Sequence, residues 1–467
     1  MTFHSLNYLI FLPAVLALYW ALSRRGQNVL LVAASYIFYG WEHPWFLLPL
    51  WGSTLVDFGC ALGMERFPLR RRLLLVTSIV VSVALLGTFK YAGFVLENVN
   101  VLLTDFGSDP LRVVFQLVLP AGLSFYTFQS IGYVVDVYVG RVRAERNLLD
   151  YALYVSFFPQ LVAGPIERAG HMLPQYHSNR VFDPVGWRAG LTLMLWGFFK
   201  KIVIADNAAP IVNKVFALTH PSFPVIWAGV FGFAVQIYAD FSGYTDIARG
   251  TARLLGIELM HNFNHPYIAT SPADFWRRWH ISLSSWLRDF IYIPLGGNRG
   301  GPARASFHLI ATFAITGLWH GASWNYVLWG LYWGFLILVQ RFLGWLGVTK
   351  WFPWIAKVAM TFGVTCVSWL LFRERNLGKL LHDFSQSPFA TATEQWWVGA
   401  YLITLVFIYA APLIIHLVAT SDFARRRFAI TWPNLGLLGE AGVAALLLLG
   451  IVLARSITTS DFIYFQF

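Results

Sequence analysis

Two histidines forty positions apart carry the most chemistry in this sequence. His280 sits in Trp276-Arg277-Arg278-Trp279-His280-Ile281-Ser282, and His320 in Gly317-Leu318-Trp319-His320-Gly321-Ala322-Ser323-Trp324-Asn325. His320 lies inside an apolar stretch from Phe307 to Val339 that holds no Asp, Glu, Lys or Arg. A polar ring there must be desolvated, which is tolerated only with a partner, a water-filled cavity or a functional role. Imidazole moves protons near neutral pH, so both rings are candidate acid–base groups. The plain alternative for His320 is a buried ring hydrogen-bonded to a neighbouring helix; a second histidine in a similar Trp-rich motif weighs against it. Gly317 and Gly321 leave room for close approach, while Trp319, Trp324 and Asn325 supply rigid walls and an amide. Around His280, Trp276 and Trp279 are interleaved with Arg277 and Arg278, and Arg288, Arg299 and Arg304 follow. A solvated cytoplasmic loop accounts for the arginines alone. With tryptophan between them they also suit a phosphate-bearing ligand, such as an activated acyl donor, because guanidinium forks grip phosphate.

The elements that must position these groups belong to a membrane. Of 467 residues 57% are hydrophobic and 12% charged, with a mean hydropathy of +0.58. Repeated apolar runs of this length cross a bilayer, so the chain is read as an all-α polytopic protein of the inner membrane. The net charge of +11 fits basic cytoplasmic loops facing anionic lipid, and no nucleic-acid partner is expected. Cys60 and Cys366 lie in apolar segments and indicate neither a disulfide framework nor a metal site. The first segment lacks a basic n-region and is expected to be a membrane helix, not a cleaved signal.

Spans are expected at about 6–22, 28–41, 45–62, 73–96 and 111–140, the last long enough to tilt or break, and again at about 306–327, 328–347, 353–372, 398–420 and 436–455. Arg24/Arg25, Arg66 with Arg70–Arg72, and Arg141/Arg143/Arg146 fall on one side; Glu42-His43-Pro44 and the stretch from Glu97 to Asp109 fall on the other. The positive-inside bias puts the N-terminus outside, and Arg425–Arg427 send the C-terminus outside too. Arg373/Glu374/Arg375 then also fall outside, so either they are functional and partly paired or a span is miscounted. Between the two sets, segments near 151–163, 187–205, 225–260 and 268–297 mix apolar runs with Pro, Gly and charge. Short or re-entrant helices lining a cavity are expected there, since broken backbone at membrane depth needs protein or water to satisfy it.

Three motifs carry a resemblance: Phe158-Pro-Gln-Leu-Val-Ala-Gly-Pro-Ile166, the block from Trp276 to Arg299, and Gly317-Leu-Trp-His-Gly321. Together they resemble the membrane-bound O-acyltransferase family, in its bacterial branch typified by the alginate O-acetyltransferase membrane subunit. The likeness covers nearly the whole chain and is densest from 150 to 330. It implies one membrane domain over 1–467: N-terminal helices (1–150), a catalytic core (151–330), C-terminal helices (331–455) and an extracytoplasmic motif (456–467). The implied fold is a ring of about 11 transmembrane helices with short re-entrant ones around a central funnel. His320 matches the family's catalytic histidine and His280 the second histidine of the branch. Phe462-x-Tyr464-x-x-Phe467 resembles the branch's acyl-relay motif, although by itself an aromatic run of this kind also suits the membrane interface. A phenol, with a pKa of about 10, leaves an ester far more readily than a serine alkoxide, so an acetyl-tyrosine is a plausible relay.

The resemblance thus implies an acetyltransferase that needs no bound cofactor and takes acetyl-CoA or another cytoplasmic thioester as donor. Trp276, Trp279, Arg277, Arg278, Arg288 and Arg299 are the expected donor contacts; Asn325, Trp319 and Trp324 are supporting residues. The expected partners are membrane lipid, a periplasmic SGNH/GDSL-type acetyltransferase and exopolysaccharide (alginate-like) machinery. Asp240, Asp246 and Gln236 are polar in apolar context and serve either the site or helix packing. Three alternatives stay open: D-alanyl transfer to teichoic acid by the same fold; a secondary transporter, for which broken helices and intramembrane charges are also suited; and a purely structural secretion subunit, in which both histidines would tolerate alanine.

Overall fold

The computed structural model describes residues 1–111, 118–162, 164–421, 437–456 and 462–463, and their regular secondary structure is helical. Arg425–Arg427, Tyr464 and Phe467 lie outside the described residues. Six helical stretches are long and apolar enough to cross a membrane: Pro44–Arg66, Pro68–Asp105, Phe223–Leu254, Trp324–Trp345, Trp354–Arg373 and Thr393–Thr420. The apolar helices Leu6–Trp20 and Gly439–Leu453 are shorter. The chain is therefore a helical, multi-pass membrane protein, and it divides into two compact units.

The first unit comprises Met1–Leu191, Ala248–Met260 and Ser285–Pro294. It contains α1 (Leu6–Trp20), α2 (Arg24–Gly40), α3 (Leu47–Arg66), α4 (Arg71–Leu86), α5 (Ala92–Asp105) and α6 (Leu123–Val139). Polar side chains tie these apolar helices together, as expected where hydrophobicity cannot distinguish a helix from lipid. Buried Asp57 on α3 accepts a hydrogen bond from Ser78 of α4 at 2.5 Å, and Tyr8 of α1 meets Thr251 at 2.6 Å. The expected span at 111–140 includes residues outside the description; among the described residues its helix is α6, which begins at Leu123 after Gly122 with φ +76. A Cβ on Gly122 would meet the Leu161 carbonyl at 2.4 Å, so that turn admits only glycine.

The broken backbone expected near 151–163 is present in this unit. The short helices α7 (Leu148–Ser156) and α8 (Phe158–Leu161) are followed by α9 (Ala169–His177). Prolines interrupt the run, and side chains replace the missing backbone partners. The Ser35 hydroxyl accepts from the Phe158 N–H at 3.0 Å, and the Gln160 amide donates to the Tyr154 carbonyl at 2.7 Å.

The second unit comprises Thr192–Ile247, His261–Ser284 and Leu295–Phe467. It takes the end of α10 (Pro184–Phe199), a π-turn at Lys200–Ala205, α11 (Asp206–Ala217) and most of α12 (Phe223–Leu254). After these come α13 (Pro272–Arg278), α14 (Ile281–Leu287, shared between the units), α15 (Pro302–His320), α16 (Trp324–Trp345) and α17 (Trp354–Arg373). It closes with α18 (Leu377–Ser385), α19 (Thr393–Thr420) and α20 (Leu437–Leu453).

Two expectations are corrected here. The region 225–260 is not broken: α12 runs for 32 residues. Its proline, Pro224, falls in the first turn, where it removes no intrahelical bond, and its glycines serve packing. A Cβ on Gly243 would meet the Gly197 carbonyl at 2.9 Å. The boundary expected between 327 and 328 lies earlier, at Gly321–Ser323, where α15 turns into α16. Apolar residues run on without interruption through this turn, so hydropathy alone could not find it. Short helices at α13 and α14 agree with the expectation for 268–297.

The charged residues at the end of α17 and just beyond it are partly paired. Arg373 donates to Asn213 at 3.0 Å and lies over the Phe216 ring, and Glu374 pairs with Lys379 at 2.8 Å.

Candidate active site

His280 occupies the turn between α13 and α14. Ser271 caps α13 by accepting the Asp274 N–H at 3.2 Å, with Pro272 in the first helical turn. The helix stops at Arg278, and His280 takes φ +44, a left-handed conformation uncommon for any residue but glycine. Two backbone bonds hold it there: Asn264 N–H to the Arg278 carbonyl and Ile281 N–H to the Asn262 carbonyl, each 2.9 Å. The imidazole is fully buried, with Nδ1 3.0 Å from Asn262 Oδ1. The same oxygen accepts from the Ser282 N–H at 3.3 Å and the Ser282 hydroxyl at 2.9 Å. An atom facing that set of donors is the amide oxygen, so His280 Nδ1 carries its proton and the ring's lone pair is on Nε2.

His320 is the last residue of α15 and is buried. Trp319 and Trp329 stand at ring distances of 4.9 Å and Phe372 at 5.3 Å, all presenting T-shaped geometry. Trp319 also lies 6.3 Å from His280, so one indole stands beside both imidazoles. The second histidine's other wall is Phe241 of α12, edge-on at 4.7 Å. The site is therefore built from the ends of α15 and α17, the start of the hairpin partner α16, the α13–α14 turn and the middle of α12.

The remaining expected residues are not all at this centre. Trp276 packs between Trp329 and Trp333 at 5.7 and 5.4 Å, and Trp279 between Phe263 and Trp369 at 5.0 Å each. Both are buried wall residues. Arg277 and Arg278 share Asp274, at 3.7 and 3.1 Å; Arg277 is largely exposed. Arg288 belongs to the first unit, where it and Arg168 share Asp289, and Arg299 is exposed. Asn325 is buried, and its amide N–H groups go to the Leu371 and Phe372 carbonyls at the end of α17. It thus holds the element that carries Phe372. Trp324 is exposed. Gly317 and Gly321 do not open space for a ligand: a Cβ on either would meet Tyr326 at about van der Waals overlap, 2.0 and 2.1 Å.

Sequence reasoning missed Asn262, Phe241 and Phe372, none of which sits in a conspicuous motif. It also missed Lys201, although a lysine pair in an apolar helix was a usable signal. Lys201 is buried and bridges Asp206 at 3.0 Å and Asp240 at 2.9 Å; Lys200 pairs with Asp246 at 2.6 Å. Among the described residues, one group has metal-ligand spacing: Glu145, Asp150 and His177 in the first unit. Its oxygens are engaged by His177, Asn147 and Asn28, so its own hydrogen bonds close it.

Comparison with known proteins defines the class. Residues 142–372 match the MBOAT, membrane-bound O-acyltransferase family, and both histidines fall inside the match. The chain belongs to that family and is an O-acyltransferase.

More particularly, it is 36% identical to a probable alginate O-acetylase of Pseudomonas putida, over all of both chains. It is also 36% identical to a peptidoglycan O-acetyltransferase of Helicobacter pylori, covering 79% of this chain and 76% of the relative. A teichoic acid D-alanyltransferase of Bacillus subtilis is 28% identical over 56% of this chain and 71% of its own.

Proposed function

We propose that this chain, acting as one membrane domain, takes an acetyl group from a cytoplasmic thioester, acetyl-CoA by class, and passes it across the inner membrane for O-acetylation of an exopolysaccharide of the alginate type. The packing of both buried histidines on Trp319 carries the reading. His320 acts as general base on the hydroxyl of Tyr464. The phenolate oxygen bonds to the thioester carbonyl carbon, the C–S bond breaks, and the thiolate recovers the proton from the imidazolium. His280, held as its Nδ1–H tautomer by Asn262, presents an unprotonated Nε2 that orients or assists the acceptor. Arg277, Arg278 and Arg299 draw in the phosphates of the donor, and the tryptophans form the apolar wall. The acetyl ester then passes to a serine of a periplasmic SGNH/GDSL-type partner. Support comes from the acetyltransferase relatives, which match over more of this chain than the D-alanyl one does.

The test is incubation of purified protein with labelled acetyl-CoA, followed by peptide mass spectrometry, wild type beside His320→Ala. Label on Tyr464 in wild type and not in the variant is the expected result. Label acquired only from a D-alanyl carrier protein would move the reading to D-alanyl transfer. Substrate flux with no covalent label would move it to transport.

A further inference from the structure

A buried charge cluster with no place in the chemistry above meets the C-terminal segment. Lys201, Asp206 and Asp240 are all almost fully buried. One ammonium is shared by two buried carboxylates, and a buried carboxylate takes hydrogen-bond donors as well as a counter-charge. One comes from far along the chain: the Ile463 backbone N–H donates to Asp240 Oδ2 at 2.6 Å.

The side chains agree with that contact. Phe462 is fully buried, 4.2 Å from the Tyr244 ring and 5.8 Å from Phe241. Tyr244 lies one helical turn beyond Asp240, on the same face of α12, and Lys201 Nζ stands 5.8 Å from its ring. Phe241 touches Phe462 on one side and the edge of His280 on the other, at 4.7 Å. Segment 462–463 is thus fixed at a backbone atom and at a ring, one aromatic residue away from a site histidine.

We propose that Asp240, held by Lys201, is a positioning residue that latches segment 462–463 to α12 beside His280 and so sets the register at which the next residue, Tyr464, is presented. The latch stands on geometry alone; its consequence for acyl transfer rests on the function proposed above.

Hydrogen exchange by mass spectrometry on the full chain in nanodiscs tests it with no acyl donor present. Ile463→Pro removes the donating N–H and leaves the charge cluster intact, while Ile463→Ala keeps the N–H. Asp240→Ala keeps the Lys201–Asp206 ion pair. In Ile463→Pro and Asp240→Ala, exchange of the remaining amides in the peptide spanning 456–467 should rise at least about tenfold, the worth of a charge-assisted hydrogen bond. In Ile463→Ala, which keeps the N–H but shortens a buried side chain, exchange should rise less than in Ile463→Pro. Unchanged exchange in both latch variants, or an equal rise in Ile463→Ala, overturns the latch. With labelled acetyl-CoA, the latch variants should lose label on Tyr464 while their affinity for the donor is unchanged. An unlabelled wild type with the exchange pattern intact would overturn the relay and leave the latch standing.

Discussion

At the residue scale, the two histidines differ in how the chain holds them. His320 is held by packing, between two indoles and a phenyl ring. On the proposed mechanism its replacement by alanine removes the general base, and acyl transfer should fall by about 10²–10⁴-fold, measured as labelled product. His280 is held by Asn262 and by a left-handed backbone. Asn262→Ala should lower the rate about ten- to a hundredfold by releasing the tautomer, whereas Asn262→Asp, which still accepts at the same place, should stay within a few-fold of wild type. The backbone contribution is separable. His280→Gly and His280→Val both lack the imidazole, but valine in a left-handed turn costs about 1–2 kcal/mol more, so its melting temperature should be the lower of the two.

At the element scale, the α15–α16 hairpin decides where His320 lies. Gly317 faces the Tyr326 carbonyl and Gly330 the Phe313 carbonyl, so the two backbones approach more closely than any side chain permits. Gly317→Leu should push the helices apart, lower stability by about 1–3 kcal/mol and displace Trp319 and His320 together. Gly344→Ala on the same α16 adds a methyl with nothing within 4 Å, and should leave melting and activity unchanged or slightly improved. The hairpin was legible as two apolar helices, but its turn was not. Gly317 and Gly321 stood out in the sequence as room for a ligand; the space they leave is filled by Tyr326 of the facing helix. Tryptophan was similarly ambiguous, since Trp276 and Trp279 suit a ligand wall and a packed core equally well until their neighbours are known.

At the scale of the whole molecule, charge asymmetry among the loops predicts orientation, with the N-terminus periplasmic. Cys60 and Cys366 are both buried, so single introduced cysteines report cleanly against a quiet background. Ser108→Cys should react with a membrane-impermeant maleimide added to intact spheroplasts, and Arg70→Cys should react only after lysis. The reverse pattern would invert the topology and place the arginines of the 277–299 region on the wrong side for a cytoplasmic donor.

The sequence by itself determined that this is a helical membrane protein, which family it resembles, and that His280 and His320 are its chemical candidates. Those conclusions follow from composition, loop charge and contiguous motifs, all of which are local along the chain. Tertiary structure alone decided that Trp319 stands beside both histidines, that Asn262 sets the proton on His280, and that Asp240, paired with Lys201, reaches the Ile463 amide. Each of these joins positions from different elements. In a chain where almost every helix is apolar, hydropathy does not say which faces meet; close backbone approach, hydrogen-bond geometry and the pairing of buried charge do.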